Sequence, residues 1–96
     1  MALTVITTNR LIASCGAVAL SGTIKVVAED MAPDDIVLIY EETGTPGNYQ
    51  PVPTGDPRTS SLTPEIPSTL FEGYGNYKFK LGASTATDLV VGYAAA

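Results

Sequence analysis

Histidine and tryptophan are absent from this 96-residue chain, which holds one cysteine and five basic residues. Without histidine, the commonest general base at neutral pH and the commonest transition-metal ligand are both missing. The single cysteine, Cys15, excludes an internal disulfide and a cysteine-based zinc site. Ser14 and Gly16 beside it are small, and the stretch is apolar. That context reads as a buried structural thiol, since a nucleophilic thiol needs a base next to it. Arg10, Lys25, Arg58, Lys78 and Lys80 are scattered among ten acidic residues, for a net charge of -5. Nucleic acid is therefore not an expected partner, because binding it takes clustered Lys and Arg to displace counterions. No apolar run approaches the ~20 residues of a membrane helix.

Other chemistry is missing as well. Gly44-Thr45-Pro46-Gly47 lacks the lysine and helix that complete a phosphate loop. A glycosidase carboxylate pair would need a cleft lined with aromatics, which a short chain without tryptophan does not offer. The acidic pairs Glu29-Asp30, Asp34-Asp35 and Glu41-Glu42 lack the alternating spacing of a calcium loop, and read as a solvated acidic rim. The chain is expected to be no enzyme and to use no cofactor or metal. Ile12-Ala13-Ser14-Cys15 looks like the end of a lipoprotein signal, but Asn9 and Arg10 stand where the apolar stretch should be, so no signal peptide is expected.

What is present is strand chemistry. Twelve threonines accompany apolar stretches rich in β-branched residues and tyrosine, which suit a pleated surface. Strands are expected at 3–8, 23–29, 36–40, 76–81 and 88–93, with short edge strands at 49–52 and 58–62. Ile24, Val26 and Ala28 share one face of their strand, and Tyr77, Phe79 and Leu81 share one face of theirs, with Lys78 and Lys80 opposite. Ser21-Gly22 marks a turn or bulge, residues 30–35 around Pro33 a loop, and 94–96 a plain tail. Residues 43–69 hold six of the seven prolines and read as a long ordered loop anchored by Leu62, Ile66, Leu70 and Phe71. The expected architecture is all-β: one antiparallel β-sandwich over 21–96, preceded by an N-terminal arm or first strands over 1–20.

Two strands are too apolar for a lone sandwich, in which each sheet shows one polar face. Residues 36–40 (IVLIY) and 89–93 (LVVGY) leave Val27, Val37, Ile39 and one face of 89–91 surplus to a single core. Either residues 1–20 cover that surplus, or another chain does.

Gly75-x-Tyr77-x-Phe79, with Leu70 seven residues before the tyrosine, resembles the tyrosine corner of immunoglobulin-like sandwiches. Phe79 stands where antibody domains place a cysteine. The resemblance implies that the Tyr77 hydroxyl bonds back to the backbone where the chain crosses between sheets. The missing tryptophan and disulfide pair depart from the antibody pattern, and point to a fibronectin-like, bacterial or viral subclass instead.

The whole chain also resembles, in format and without a specific motif, the small bacteriophage proteins that decorate or cement capsids. The features are a start at Met1-Ala2-Leu3 that reads as uncleaved, a compact acidic β-domain and a composition rich in Thr, Ala, Gly and Val. That resemblance implies a virion protein on the capsid exterior, often trimeric, whose partner is the major capsid protein or another virion protein. The N-terminal arm and the 43–69 loop are expected to make the contacts, with Leu3, Val5, Arg10, Val37, Ile39, Tyr49 and Arg58 as contact residues. The second expectation is a module of a fibre or tail appendage that binds carbohydrate or a host surface by stacking Tyr40, Tyr49, Tyr74 and Tyr93 on sugars. A third is an adhesin-like domain.

Overall fold

The computed structural model describes residues 3–52, 61–82 and 89–96. Eight strands form one open, almost wholly antiparallel sheet: β1 (Thr4–Val5), β2 (Thr8–Asn9), β3 (Val18–Glu29), β4 (Val37–Glu42), β5 (Tyr49–Pro51), β6 (Ser61–Leu62), β7 (Ser68–Leu81) and β8 (Val90–Ala95). Their order is β1-β8-β3-β7-β4-β5, with β6 beside β4 and β2 running parallel to the end of β7. One 3-10 turn, Ile12–Ser14, links β2 to β3.

The long strand β7 organises the molecule. Its first part pairs with β3 and its last part with β4, and Tyr77 belongs to both, opposite Val18 and Glu41. The two halves of the sheet share one buried face. Ile6, Leu20, Ile24, Val26, Ala28 and Val91 come from the β1-β8-β3 half, and Val37, Ile39, Val52, Leu62 and Phe79 from the β4 half. This is the sandwich-like all-β architecture that the strand chemistry predicts. Burying each large apolar side chain contributes about 1.5–3 kcal/mol.

Several expectations change in detail. Ser21-Gly22 does not break the chain: β3 runs straight through, with Gly22 at a φ of +77°. Gly22 faces Gly73, and a side-chain carbon on Gly73 would lie 2.7 Å from the backbone of Leu20. Bare glycine lets the two strands meet there. The tail is not plain either, because Ala94 and Ala95 pair with Lys25 and Ile24.

The Pro-rich loop yields β5 and β6 where edge strands are expected, with Pro51 at the sheet edge, the one place where a missing N–H costs no ladder bond. Between β4 and β5, Asn48 N–H donates to the Thr45 carbonyl at 3.0 Å across Pro46-Gly47. Gly47 has a φ of +84°, as the third residue of a type II turn requires. Of the expected anchors, Leu62 is fully buried, whereas Ile66 and Leu70 are exposed. The side chain of Phe71 and residues 53–60 and 83–88 lie outside the described residues.

The Tyr77 hydroxyl accepts a hydrogen bond from the Tyr74 backbone N–H at 3.3 Å, and the ring is 1% exposed. The bond to upstream backbone that the tyrosine-corner resemblance implies is therefore present. It forms inside one uninterrupted strand, however, where β7 exchanges β3 for β4, and not after a loop.

Candidate interaction surfaces

The fold leaves one outward face that is both apolar and exposed. Strand register places Val27 between Gly92 of β8 and Ser68 of β7, with Val5 of β1 opposite Gly92. One row over, Lys25 lies between Ala94 and Leu70. On the other side, Glu29 pairs with Val90. Val5 is 69% exposed and Leu70 47%, while Val27, Val90 and Ala94 are half-buried. Leu3 stacks over Gly92, where an added side-chain carbon would come within 2.8 Å of the Leu3 Cβ.

This arrangement answers how the N-terminal residues relate to the surplus apolar surface. Leu3 covers only Gly92, which is buried beneath it, while Val5 widens the face, because β1 joins the sheet edge in register with β8. The expected contact residues Leu3 and Val5 therefore do lie together on one surface.

Val37 and Ile39 do not. They are 0% and 1% exposed in the protein's own core and are corrected here from contact residues to core residues. An all-apolar strand carries no alternation to reveal its phase, and pairing opposite Leu81 and Phe79 turns these two inward. Leu38 and Tyr40 take the outward positions and are half-buried. Leu70 is corrected in the other direction, from a core element of the corner to an exposed residue. Gly75 has open space around it, so nothing packs against it closely. Arg10 is exposed in the bend after β2. Arg58 lies outside the described residues.

A second, polar cluster occupies the outward side of β4, β5 and the end of β7. The Lys78 Nζ sits 4.8 Å from the centre of the Tyr49 ring and donates to the Ile12 carbonyl at 3.2 Å. The bend around Ile12 thus lies over this face and ties it to the N-terminal segment. Glu42 accepts hydrogen bonds from the Gly47 backbone N–H at 2.9 Å and the Asn76 amide at 3.2 Å, and from the Tyr49 hydroxyl. The Gly47 bond first, then Asn76 and Tyr49, holds the Glu42 carboxyl below its ordinary value; burial, and then the Glu42 charge and bond, push the Tyr49 phenol up.

A carboxylate with a depressed folded-state value stabilises the fold above its unfolded value and loses that contribution as pH falls through the folded one. Glu42→Gln is therefore expected to lower the melting temperature at neutral pH, and the difference from the parent is expected to shrink as pH falls below the ordinary carboxylate value and to vanish beneath the lowered one. Thermal melts across an acid series check this. A difference that persists undiminished in acid would mean that the Glu42 charge is not what matters.

Cys15 is buried, and its thiol faces the Asn9 and Leu11 carbonyls at 3.5 Å, in keeping with a structural thiol. In the acidic loop Asp35 is 1% exposed and accepts the Ala32 N–H at 2.8 Å. Among the described residues no cluster of three or more acidic or cysteine side chains is placed to hold a metal ion. No helix of the described residues is long and apolar enough to cross a membrane. No family model, curated protein or solved structure matches the chain.

Proposed function

We propose that this chain is a non-enzymatic structural protein of a bacteriophage particle, which binds the outside of an assembled capsid and stabilises it. The observation that supports the reading is the outward face of β1, β8, β3 and β7. It sets Val5, Val27, Val90, Ala94 and Leu70 side by side at the surface. An exposed apolar face of this kind suits a protein partner better than water. A protein that binds only the assembled shell shifts the equilibrium towards that shell by mass action. In this reading the chain is a homo-oligomer, and its contacts with the capsid protein come from the bend at Arg10, the β4-β5 hairpin with Tyr49, and the Arg58 segment.

The immunoglobulin-like subclass is the finer part of the proposal. The Tyr74–Tyr77 bond supports it, and the unbroken run of β7 through residues 70–77 weighs against it.

Carbohydrate recognition ranks second. Tyr40 and Tyr49 share a surface with Glu42 and Asn76, but the Tyr49 ring already carries Lys78 and its hydroxyl is bonded to Glu42. Tyr74, at 75% exposure, lies two residues from Asn76 along β7, but Tyr93 is half-buried against the core. The tyrosines therefore do not form one stacking platform.

Quantitative mass spectrometry of particles purified from the organism that encodes the chain tests the reading. The chain is expected in a fixed ratio to the shell protein, and particles lacking it are expected to break open at lower temperature. Its absence from purified particles would overturn the proposal.

A further inference from the structure

We propose that the chain pairs with a second copy of itself through the outward face of β1, β8, β3 and β7, about a two-fold axis that crosses the strands at Val27. The inference rests on that face alone, and does not depend on the virion reading.

On β3 and β8 the face is self-complementary about the row Val5–Gly92–Val27–Ser68, in which Gly92 lies beneath Leu3. Lys25 and Glu29 lie on the same side of β3, two residues either side of Val27. Neither side chain has a hydrogen-bond or ion-pair partner among the described residues. At about 3.3 Å per residue they stand about 13 Å apart, too far to pair within one chain. A two-fold axis through Val27 exchanges the two positions. It sets Lys25 of each copy against Glu29 of the other, with valine on valine between them.

The neighbouring strand β8 repeats the pattern. On β8, Ala94 and Val90 lie two residues either side of Gly92, level with Lys25 and Glu29 respectively. On the β7 side, Leu70 lies two residues from Ser68, level with Lys25, and is exposed. Small apolar therefore meets small apolar, and each charge meets its opposite. Val5 lies on the axis row itself, so the N-terminal strand extends the contact.

The symmetry is two-fold, unlike the three-fold one that the decoration-protein resemblance implies. The central strip, four strands wide and four residues long, measures about 15 by 13 Å. That is well short of the ~800 Å² per partner of a standard interface, so the pair is weak and dissociates on dilution.

Sedimentation equilibrium of the full chain, from micromolar to millimolar, tests the pairing. A reversible monomer–dimer equilibrium is expected. Lys25→Glu and Glu29→Lys, each alone, are expected to weaken association at least tenfold, and the double exchange to restore it, since the charges again meet their opposites. Circular-dichroism melts of each variant confirm that these exposed positions leave the fold intact. A parent that stays monomeric throughout, a trimer, or a dimer whose constant ignores the single exchanges would each overturn the proposal. None of these results bears on whether the chain is found in phage particles, so the two proposals fail separately.

Discussion

Replacing Phe79 by alanine is expected to remove about 3–5 kcal/mol of folding stability. Phe79 is fully buried where the two halves of the sheet meet. It pairs with Ile39 on one side and Thr8 on the other, so its ring is held by β4, by β7 and by the N-terminal strand β2. No neighbouring backbone is free to collapse into the space, because these strands are locked in register around it. A domain of this size has a total stability of about 5–14 kcal/mol, so the loss would take about a fifth of it or more. Urea unfolding checks this: the midpoint should fall sharply while the slope stays close to that of the parent. Tyr74→Ala provides the contrast. Its side chain is three-quarters exposed, and the change is expected to stay within about 0.5 kcal/mol. Equal losses at the two positions would mean that the core does not lie where the burial pattern puts it.

The second large effect comes from adding a single carbon. Gly73→Ala places a side-chain carbon 2.7 Å from the Leu20 carbonyl group and 2.8 Å from its Cβ. The nearest obstacle is backbone, which no rotamer change relieves. Either β3 or β7 must shift, and both belong to the same long ladder. The expected cost is about 3 kcal/mol, at the upper end for overpacking. Gly75→Ala, two residues along, meets nothing within 4 Å. It is expected to be neutral, or to stabilise by about 0.4–1 kcal/mol through the unfolded chain. The same urea experiment separates the two. A tolerated Gly73→Ala would mean that β3 and β7 do not cross as closely as described.

This pair of glycines shows what the sequence revealed and what it hid. Gly75 drew notice because of its spacing from Tyr77 and Phe79, yet Gly73 is the residue that the close crossing requires. Glycine carries no side chain whose pattern could announce a neighbour; register sets Gly75 opposite Leu20, yet it is Gly73, opposite Gly22, whose missing side chain leaves room for the Leu20 backbone. Leu70 is exposed, and not in the core, for a related reason. Seven residues separate it from Tyr77, and an odd separation within an unbroken strand puts two residues on opposite faces. The spacing buries both only if a turn intervenes, and none does.

Alternation was readable wherever polar and apolar residues take turns. Ile24, Val26 and Ala28 on β3, and Tyr77 and Phe79 on β7, are buried as their period predicts. In the stretch 36–40 every residue is apolar, the period is silent, and Val37 and Ile39 emerge in the core. The outward surface itself was foreseeable as an excess of apolar residues on strands. Leu3, Val5, Val27 and one face of 89–91 are expected there from the sequence; that they share one face with Ala94 follows only from pairing between the two ends of the sequence.

That pairing has a consequence for how the molecule comes into being. Thr4 and Val5 meet Tyr93 and Gly92, about ninety residues further along. At a synthesis rate of about 5–20 residues per second, β1 waits roughly 5–20 s on the ribosome before its partner strand exists. The hairpin-like ladder of β3 with β7, and of β7 with β4, has all its residues sooner and needs nothing from β8. β1 is thus a latch closed last: a two-residue strand secured only once β8 has docked on β3. Until then Leu3 and Val5 are free to find other partners, and a neighbouring nascent chain of the same kind offers the same unfilled edge.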